Sequence, residues 1–476
     1  MSTTLGTVLV LLALGGFAII GLGARAGRDD LEDYLVARNS QSGGALGLSF
    51  LASGLGAWIL FSAPEIGAFV GADAVIGYGI AAAAPFLLIA LVGPALRRNV
   101  PSGHALTEFV RIRFGRAFHA YVVAVFLLYM LVYVTAELTA VGAIGVITAG
   151  IPAWIGIVLV ALTTLAYTAI GGLPASLRTD GWQAWLVVVL IALGIAAIVA
   201  TVASPGQAFE ASGLIKVDRV GVEAALTLVI AVTAANLFHQ GYWQRVWAAE
   251  DDRALRRGAV LGGLLSTPIV IAAGLMGVLA IGVGVDLGSP PAPFFALLSS
   301  VATPVAAVVL VLGMALVASS VDTLENGLAS LVVAERPRLS LTGARVATAV
   351  LLVPAVAVAL QGYSVLRLFL IADLLATAAV VPMLLVLWPR ATTVGVTVGG
   401  VAGLVGALGA GLVAAGNDLA GAWGEVTFAS GVPRLAPFAW ALLASSVVAV
   451  SVSLVGRGDR TDLRDQGAKV RVLTTR

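Results

Sequence analysis

The chain contains no cysteine and only three histidines in 476 residues. Disulfides and thiolate metal sites are therefore excluded. His104, His119 and His239 fall near one face of the topology derived below and read as interfacial or packed rings, not as a metal cluster. Charge is also scarce: acidic and basic residues together make up 11% of the chain, with a net charge of +2. Nothing in that balance supports nucleic-acid binding. No soluble module is present either. The longest polar connections, about 204–221 and 416–435, and the tail 457–476 are too short for a kinase or hydrolase domain. No nucleophile–base pair and no His or Cys cluster points to an enzyme. No Lys or Arg precedes the first apolar run, Thr4–Ala24, so it reads as a retained span with its N-terminus outside and not as a signal peptide.

What is present is apolar. Hydrophobic residues make up 60% of the sequence and the mean hydropathy is +1.04, the composition of a polytopic membrane protein. Apolar runs of spanning length fall at about 4–24, 46–70, 75–96, 118–147, 152–170, 182–203, 222–240, 256–282, 301–332, 342–361, 363–388, 393–415 and 436–456. With the N-terminus outside, these thirteen spans put every basic residue inside except Lys216, Arg219, Arg367 and Arg434, which leaves 23 of the 27 on the cytoplasmic side. A missed or extra span would invert every later loop and destroy that asymmetry. Tryptophans 154, 182, 185, 243, 247, 388, 423 and 440 fall near span ends or in connections, as an aromatic belt requires. Trp58 lies deep in the second span. Gly395, Gly399 and Gly403 form a small-residue stripe expected to pack closely on another helix. The tail is basic and is expected to lie against anionic cytoplasmic lipid.

Three stretches carry polar chemistry at membrane depth. The second span holds Ser53, Gly54 and Gly56 in its middle, with Pro64 beyond. It is either an interrupted helix whose freed carbonyls meet a cation, or a continuous helix packed closely through its glycines. Tyr167–Gln183 joins two spans inside; Gly171, Gly172 and Pro174 break the helix there. Asp180 is either the N-cap of the next helix or a carboxylate in an inner vestibule. The ninth span places Ser319, Ser320, Asp322, Thr323, Glu325 and Asn326 in succession, with Ser319, Thr323 and Asn326 on one helical face. A carboxylate at such depth is unfavourable by about 2.5–3.5 kcal/mol, so it should face protein, water or an ion. Glu65, Glu137 and Asp373 are further intramembrane carboxylates. Glu65 and Asp373 are expected near the water interface, and Glu137 on a cavity.

These stretches resemble the sodium:solute symporter family. Gly171, Gly172, Ala175, Thr179, Asp180 and Gln183 fit its signature. Asp33, Tyr34, Ala37 and Arg38 fit the motif before its first core helix, and Gln244, Arg245, Ala248 and Ala249 its loop after the seventh span. Ser319, Ser320, Asp322 and Thr323 fit its ninth span, and the segment Pro382, Trp388, Arg390, Ala391, Thr392 is similar as well. Glu325 fits no part of the pattern. The resemblance implies an all-α fold of about thirteen transmembrane helices, N-terminus outside and C-terminus inside, with a five-plus-five inverted-repeat (LeuT-type) core. Residues 1–45 would be a first helix and linker, 46–388 the transport core, 389–456 two peripheral helices and 457–476 the cytoplasmic tail.

By resemblance, a sodium ion would be held by the carbonyls of Ala52, Leu55 and Leu316 and the hydroxyls of Ser319 and Ser320. Tyr167 and Asp180, with Asp322 and Thr323, would mark its inward exit path. Ser53, Trp58 and Glu137 are the expected substrate contacts. Sugar is disfavoured because Gly56, Ala57, Trp58 and Ile59 offer no hydroxyl or amide clamp after the break. Proline or another amino acid, or urea (which Phe238–Arg245 resembles), is favoured. The expected protein is a sodium-coupled symporter of the cytoplasmic membrane. A proton-coupled carrier using Asp322, Glu325 or Glu137, or a sensor that has lost transport, are the alternatives.

Overall fold

The computed structural model describes residues 1–23, 31–300, 302–336, 339–428, 432–456 and 460–470. Arg25, Arg28, Arg338, Arg457, Arg471 and Arg476 of the cytoplasmic basic set, and the side chain of Asp33, lie outside the described residues. Among the described residues the chain is helical, with one isolated backbone bridge.

The first span is α1 (Thr3–Leu22), followed by a short α2 (Leu31–Val36). The second span is two pieces, α3 (Gly43–Gly54) and α4 (Trp58–Phe69), bent by 61°. The Ser42 side chain caps the start of α3, and Leu55 ends it in an extended conformation (φ −100°, ψ 92°). The break follows from the glycines. A side chain on Gly54 would press on the Phe86 ring, and one on Gly56 would collide with the Glu137 carboxylate. Each glycine also weakens a helix interior by about 1 kcal/mol relative to alanine. Of the two readings left open for this span, the interrupted helix is the one found.

Three long helices follow: α5 (Ala72–Asn99), α6 (Leu106–Ala149) and α7 (Ala153–Thr201). A straight helix of 49 residues would be roughly 74 Å long, over twice the apolar thickness of a bilayer. Gly172 breaks it at φ 61°, ψ −152°, a conformation open to glycine alone, so α7 crosses twice. The outer connection carries α8 (Pro205–Ala211). Then come α9 (Arg219–Asn236), α10 (Gln240–Ala248), α11 (Asp252–Val283), the short α12 (Pro293–Ala296), α13 (Thr303–Glu335), α14 (Leu341–Ala359) and α15 (Val365–Leu384). Last are α16 (Thr393–Ala414), α17 (Leu419–Val426), α18 (Leu435–Val455) and α19 (Leu463–Gly467). Eleven helices are individually long and apolar enough to cross a membrane, and the α3–α4 pair makes twelve. Counting α7 twice gives the thirteen crossings expected.

One expectation fails. Residues 240–248 read as a cytoplasmic loop in sequence, with Trp243 and Trp247 in the aromatic belt. They form α10, which is buried throughout; Trp243 is 0% and Trp247 1% exposed. The reason is polar satisfaction inside the protein. The two indoles donate to the carbonyls of Leu237 (2.7 Å) and Val100 (2.9 Å), and the Gln244 amide to that of Leu35 (2.6 Å). Residues 237–239 separate α10 from α9, which is long and apolar enough to cross a membrane alone. The described part of the tail is anchored on the protein: α19 packs on the inner ends of α5 and α6, Thr461 donates its amide to Pro389, and Arg460, Arg464 and Lys469 stay exposed. Of the remaining belt tryptophans, 154, 182, 185, 423 and 440 are exposed and 388 is half-buried, and the α16 glycine stripe packs on Ser445, Ala449 and Ser453 of α18, as expected.

The cytoplasmic side is sealed by backbone. Asn39, Ser40 and Gln41, just before α3, donate amides to the carbonyls of Trp247 and Ala248, which end α10, and Gln41 bridges Ala249. The Arg97 guanidinium closes over the same point on the Ala249 and Glu250 carbonyls.

Candidate functional site

The break in the second span leaves a run of backbone carbonyls with no helical amide to accept from. Two of them are taken by side chains: Tyr242 donates its hydroxyl to Ser53 (3.2 Å) and Trp58 its indole N–H to Gly54 (3.3 Å). The Ala52 and Leu55 carbonyls receive no hydrogen bond among the described residues. α3 packs on α13. There the Ser320 hydroxyl is buried with no hydrogen-bond partner, and the Ser319 hydroxyl donates to Asp180 (2.9 Å), leaving its lone pairs free to face an ion. Leu316 lies one turn earlier in α13. These oxygens are neutral and hard, the donor type that suits an alkali cation.

Toward the cytoplasm the two carboxylates of α13, Asp322 and Glu325, are satisfied from α7. Asp180 is not an N-cap, because α7 runs on through it, and it is wholly buried. Its carboxylate pairs with Arg245 (2.7 Å) and accepts from Ser49 (2.6 Å). Arg245 also donates to Ser49 and Thr323. Asp322 accepts from Tyr167 (2.6 Å), Ser176 (2.7 Å) and Thr179 (3.2 Å). The expected exit-path residues Tyr167, Asp180, Asp322 and Thr323 thus form one closed network beneath Ser319. Glu325, unexplained in sequence, accepts from Thr164 (2.9 Å) and Thr168 (2.8 Å), one helical turn apart on α7. Each threonine hydroxyl has an alternative acceptor in a carbonyl of its own helix, so its proton is not stranded without Glu325. Glu325→Met is expected to leave stability unchanged within about 1 kcal/mol, or to raise it, because it removes a buried charge without orphaning a donor. Thermal unfolding of the purified variant checks this.

A small cavity of about 30 Å³ lies beside the break. Its walls are aromatic: Trp58, Tyr78, Tyr129, Tyr133, Tyr242 and Phe369. Trp58 stacks on Tyr78 with ring centres 5.1 Å apart, and His239 on Tyr242 at 4.0 Å. One carboxylate lines it, that of Asp373. Asp373 is 4% exposed, and no described residue hydrogen-bonds its side chain. It was expected near the water interface; α15 instead carries it into the core. Of the expected substrate contacts, Trp58 lines this cavity. Ser53 turns its hydroxyl onto the Ser49 carbonyl (2.6 Å), and Glu137 caps the break, accepting from the Ala57 amide (2.8 Å). Glu65 is also buried, on the wall of a larger outer cavity of about 480 Å³. Neither the tyrosine walls nor Asp373 could be assembled from sequence, because they come from helices far apart in the chain. Only the rarity of an intramembrane carboxylate pointed to Asp373.

No protein-family model matches the chain. The spermidine transporter DUR31 of Candida albicans (strain SC5314 / ATCC MYA-2876) is 29% identical over 360 residues, covering 74% of this chain and 68% of that protein. Among solved structures, a Na+-coupled sialic acid symporter in its substrate-bound outward-open state matches with a TM-score of 0.75 at 16% identity, over 94% of this chain and 98% of that one. Mhp1, a nucleobase-cation-symport-1 family transporter in a closed conformation with bromovinylhydantoin bound, matches at 0.56 and 13%, over 91% and 97%. The chain is a membrane transporter. Its fold is the LeuT-type fold expected from sequence.

Proposed function

We propose that this transporter imports an amine-type organic cation, driven by sodium, through alternating access. The observation that carries the substrate class is Asp373: a buried carboxylate without a partner, facing a cavity walled by aromatic rings. A buried charge left unpaired is strongly unfavourable. An ammonium group supplies the missing charge and is attracted to ring faces as well. The similarity to a spermidine transporter supports the same class. Proline and urea, favoured by sequence, fit less well. Urea leaves the carboxylate uncompensated, and the carboxylate of proline is repelled by it. Sodium is supported by the free carbonyls of Ala52 and Leu55 and the unpartnered Ser320 hydroxyl, with Leu316 and Ser319 completing the set.

The test is uptake of labelled spermidine into proteoliposomes under an inward sodium gradient. Uptake should require sodium. Ser320→Ala should raise the half-saturating sodium concentration about tenfold, equivalent to about 1.4 kcal/mol of ion binding. Asp373→Asn should weaken the amine by about tenfold or more, the value of a charge-assisted hydrogen bond. Uptake driven by a pH gradient alone would overturn sodium coupling, and uptake of neutral solutes with none of amines would overturn the substrate class.

A further inference from the structure

The outer cavity of about 480 Å³ has the volume of a small-molecule site and takes no part in the transport reading above. It lies among the outer ends of α4, α6, α7 and α14 and the connection 286–292 that leads into α12. It shares no lining residue with the inner cavity beside the break. Its walls are mostly apolar. Phe61 and Phe295 are buried there with ring centres 4.8 Å apart, and Tyr363 is exposed. Among them stands the carboxylate of Glu65, which is 6% exposed and receives no hydrogen bond from any described residue. No Lys or Arg lines the cavity. Asp286 does, but it is exposed and already accepts from the Gly288 amide (3.0 Å). Packing of α4 on α11 holds Glu65 in place. A side chain on Gly67 would meet the Gly274 carbonyl, and one on Gly277 the Pro64 carbonyl, on either side of Glu65.

We propose that Glu65 anchors an organic ammonium ion with an apolar body in the outer cavity, at a binding site separate from the inner one. A buried carboxylate with no partner calls for a counter-charge. A primary ammonium supplies it through charge-assisted hydrogen bonds, and the two phenylalanine rings favour the same charge. A hard metal ion fits less well. It takes roughly six oxygens, and this wall sets one buried carboxylate among hydrocarbon. The site goes beyond the amine reading of transport and does not depend on it, because no residue of one cavity lines the other.

Equilibrium binding of labelled tryptamine to the purified full-length protein in nanodiscs tests the site. The native protein should bind tryptamine about tenfold or more tightly than tryptophol, its neutral analogue. Glu65→Gln should remove that preference, whereas Asp373→Asn should leave tryptamine binding at its native strength. Ala143→Trp fills the same cavity from α6 and leaves Glu65 in place. It should abolish tryptamine binding, and it is the second reading should Glu65→Gln fold poorly. Native protein that binds the two probes alike, or either folded variant that binds tryptamine as the native protein does, overturns the site. Loss of tryptamine in Asp373→Asn alone puts the amine in the inner cavity and overturns it as well. Spermidine uptake is read separately: its failure overturns amine transport and leaves the outer site standing.

Discussion

Replacing Arg245 with methionine should destabilise the protein by about 3–5 kcal/mol, the penalty for stranding one member of a buried ion pair. Both partners are wholly buried, and Asp180 has no other cation in reach. The guanidinium does more than neutralise Asp180. It donates to Ser49 on α3, to Thr323 on α13 and to Gly241 on its own helix, so one side chain ties three elements together. The double variant Arg245→Met with Asp180→Asn removes the stranded charge and should recover much of the loss. Arg245→Lys should not recover it, because a lysine ammonium cannot form the fork that spans Asp180 and Ser49. Thermal unfolding in detergent distinguishes these cases. A single Arg245→Met variant as stable as the native protein would mean that the pair contributes nothing to closing the inner side.

Gly56→Ala should abolish transport. The added methyl would collide with the Glu137 carboxylate, which is buried and held by the Ala57 amide. Relief requires moving either the carboxylate or the break. Overpacking of this kind typically destabilises by about 1–3 kcal/mol, and loss of the Ala57 hydrogen bond adds a buried, unsatisfied donor of about the same magnitude. The effect on function should exceed the effect on stability, because the displaced segment is the one whose carbonyls are left free at Ala52 and Leu55. Folded protein in the membrane with no uptake is the expected result. Gly44→Ala, where no atom lies within reach of the new methyl, is the control and should be neutral. Normal uptake by Gly56→Ala would show that the break tolerates a side chain and that Glu137 is not its cap.

How much of this was legible in the sequence differs from element to element. The span count was legible because hydropathy and basic residues report on the bilayer directly. The break of the second span was half legible: Gly54 and Gly56 marked it, but only the Phe86 and Glu137 contacts decide between a packed and a broken helix. The helix α10 was hidden. It carries Gln240, Gln244 and Arg245, and hydropathy cannot tell a polar helix satisfied by protein from a loop satisfied by water. The N-cap reading of Asp180 failed for the same reason, since its partner Arg245 lies 65 residues away. Glu325 was noticed as anomalous and left unexplained, because Thr164 and Thr168 lie more than 150 residues earlier.

The carbonyls at the break carry a further consequence. Of the four from Ala52 to Leu55, the inner two are gripped by Tyr242 and Trp58, which also form walls of the aromatic cavity, and the outer two are free. On the proposed mechanism, a molecule entering the cavity would press on the rings that fix one pair and so affect the direction of the other. A cation settling on the free pair stiffens the same four residues and fixes those rings in return. Occupancy of either place must therefore change the affinity of the other by the same factor, a reciprocity that typically amounts to about 1–3 kcal/mol. On the proposed sodium-driven mechanism, coupling of the two solutes would be a property of four consecutive peptide groups, with no signal relayed across the protein.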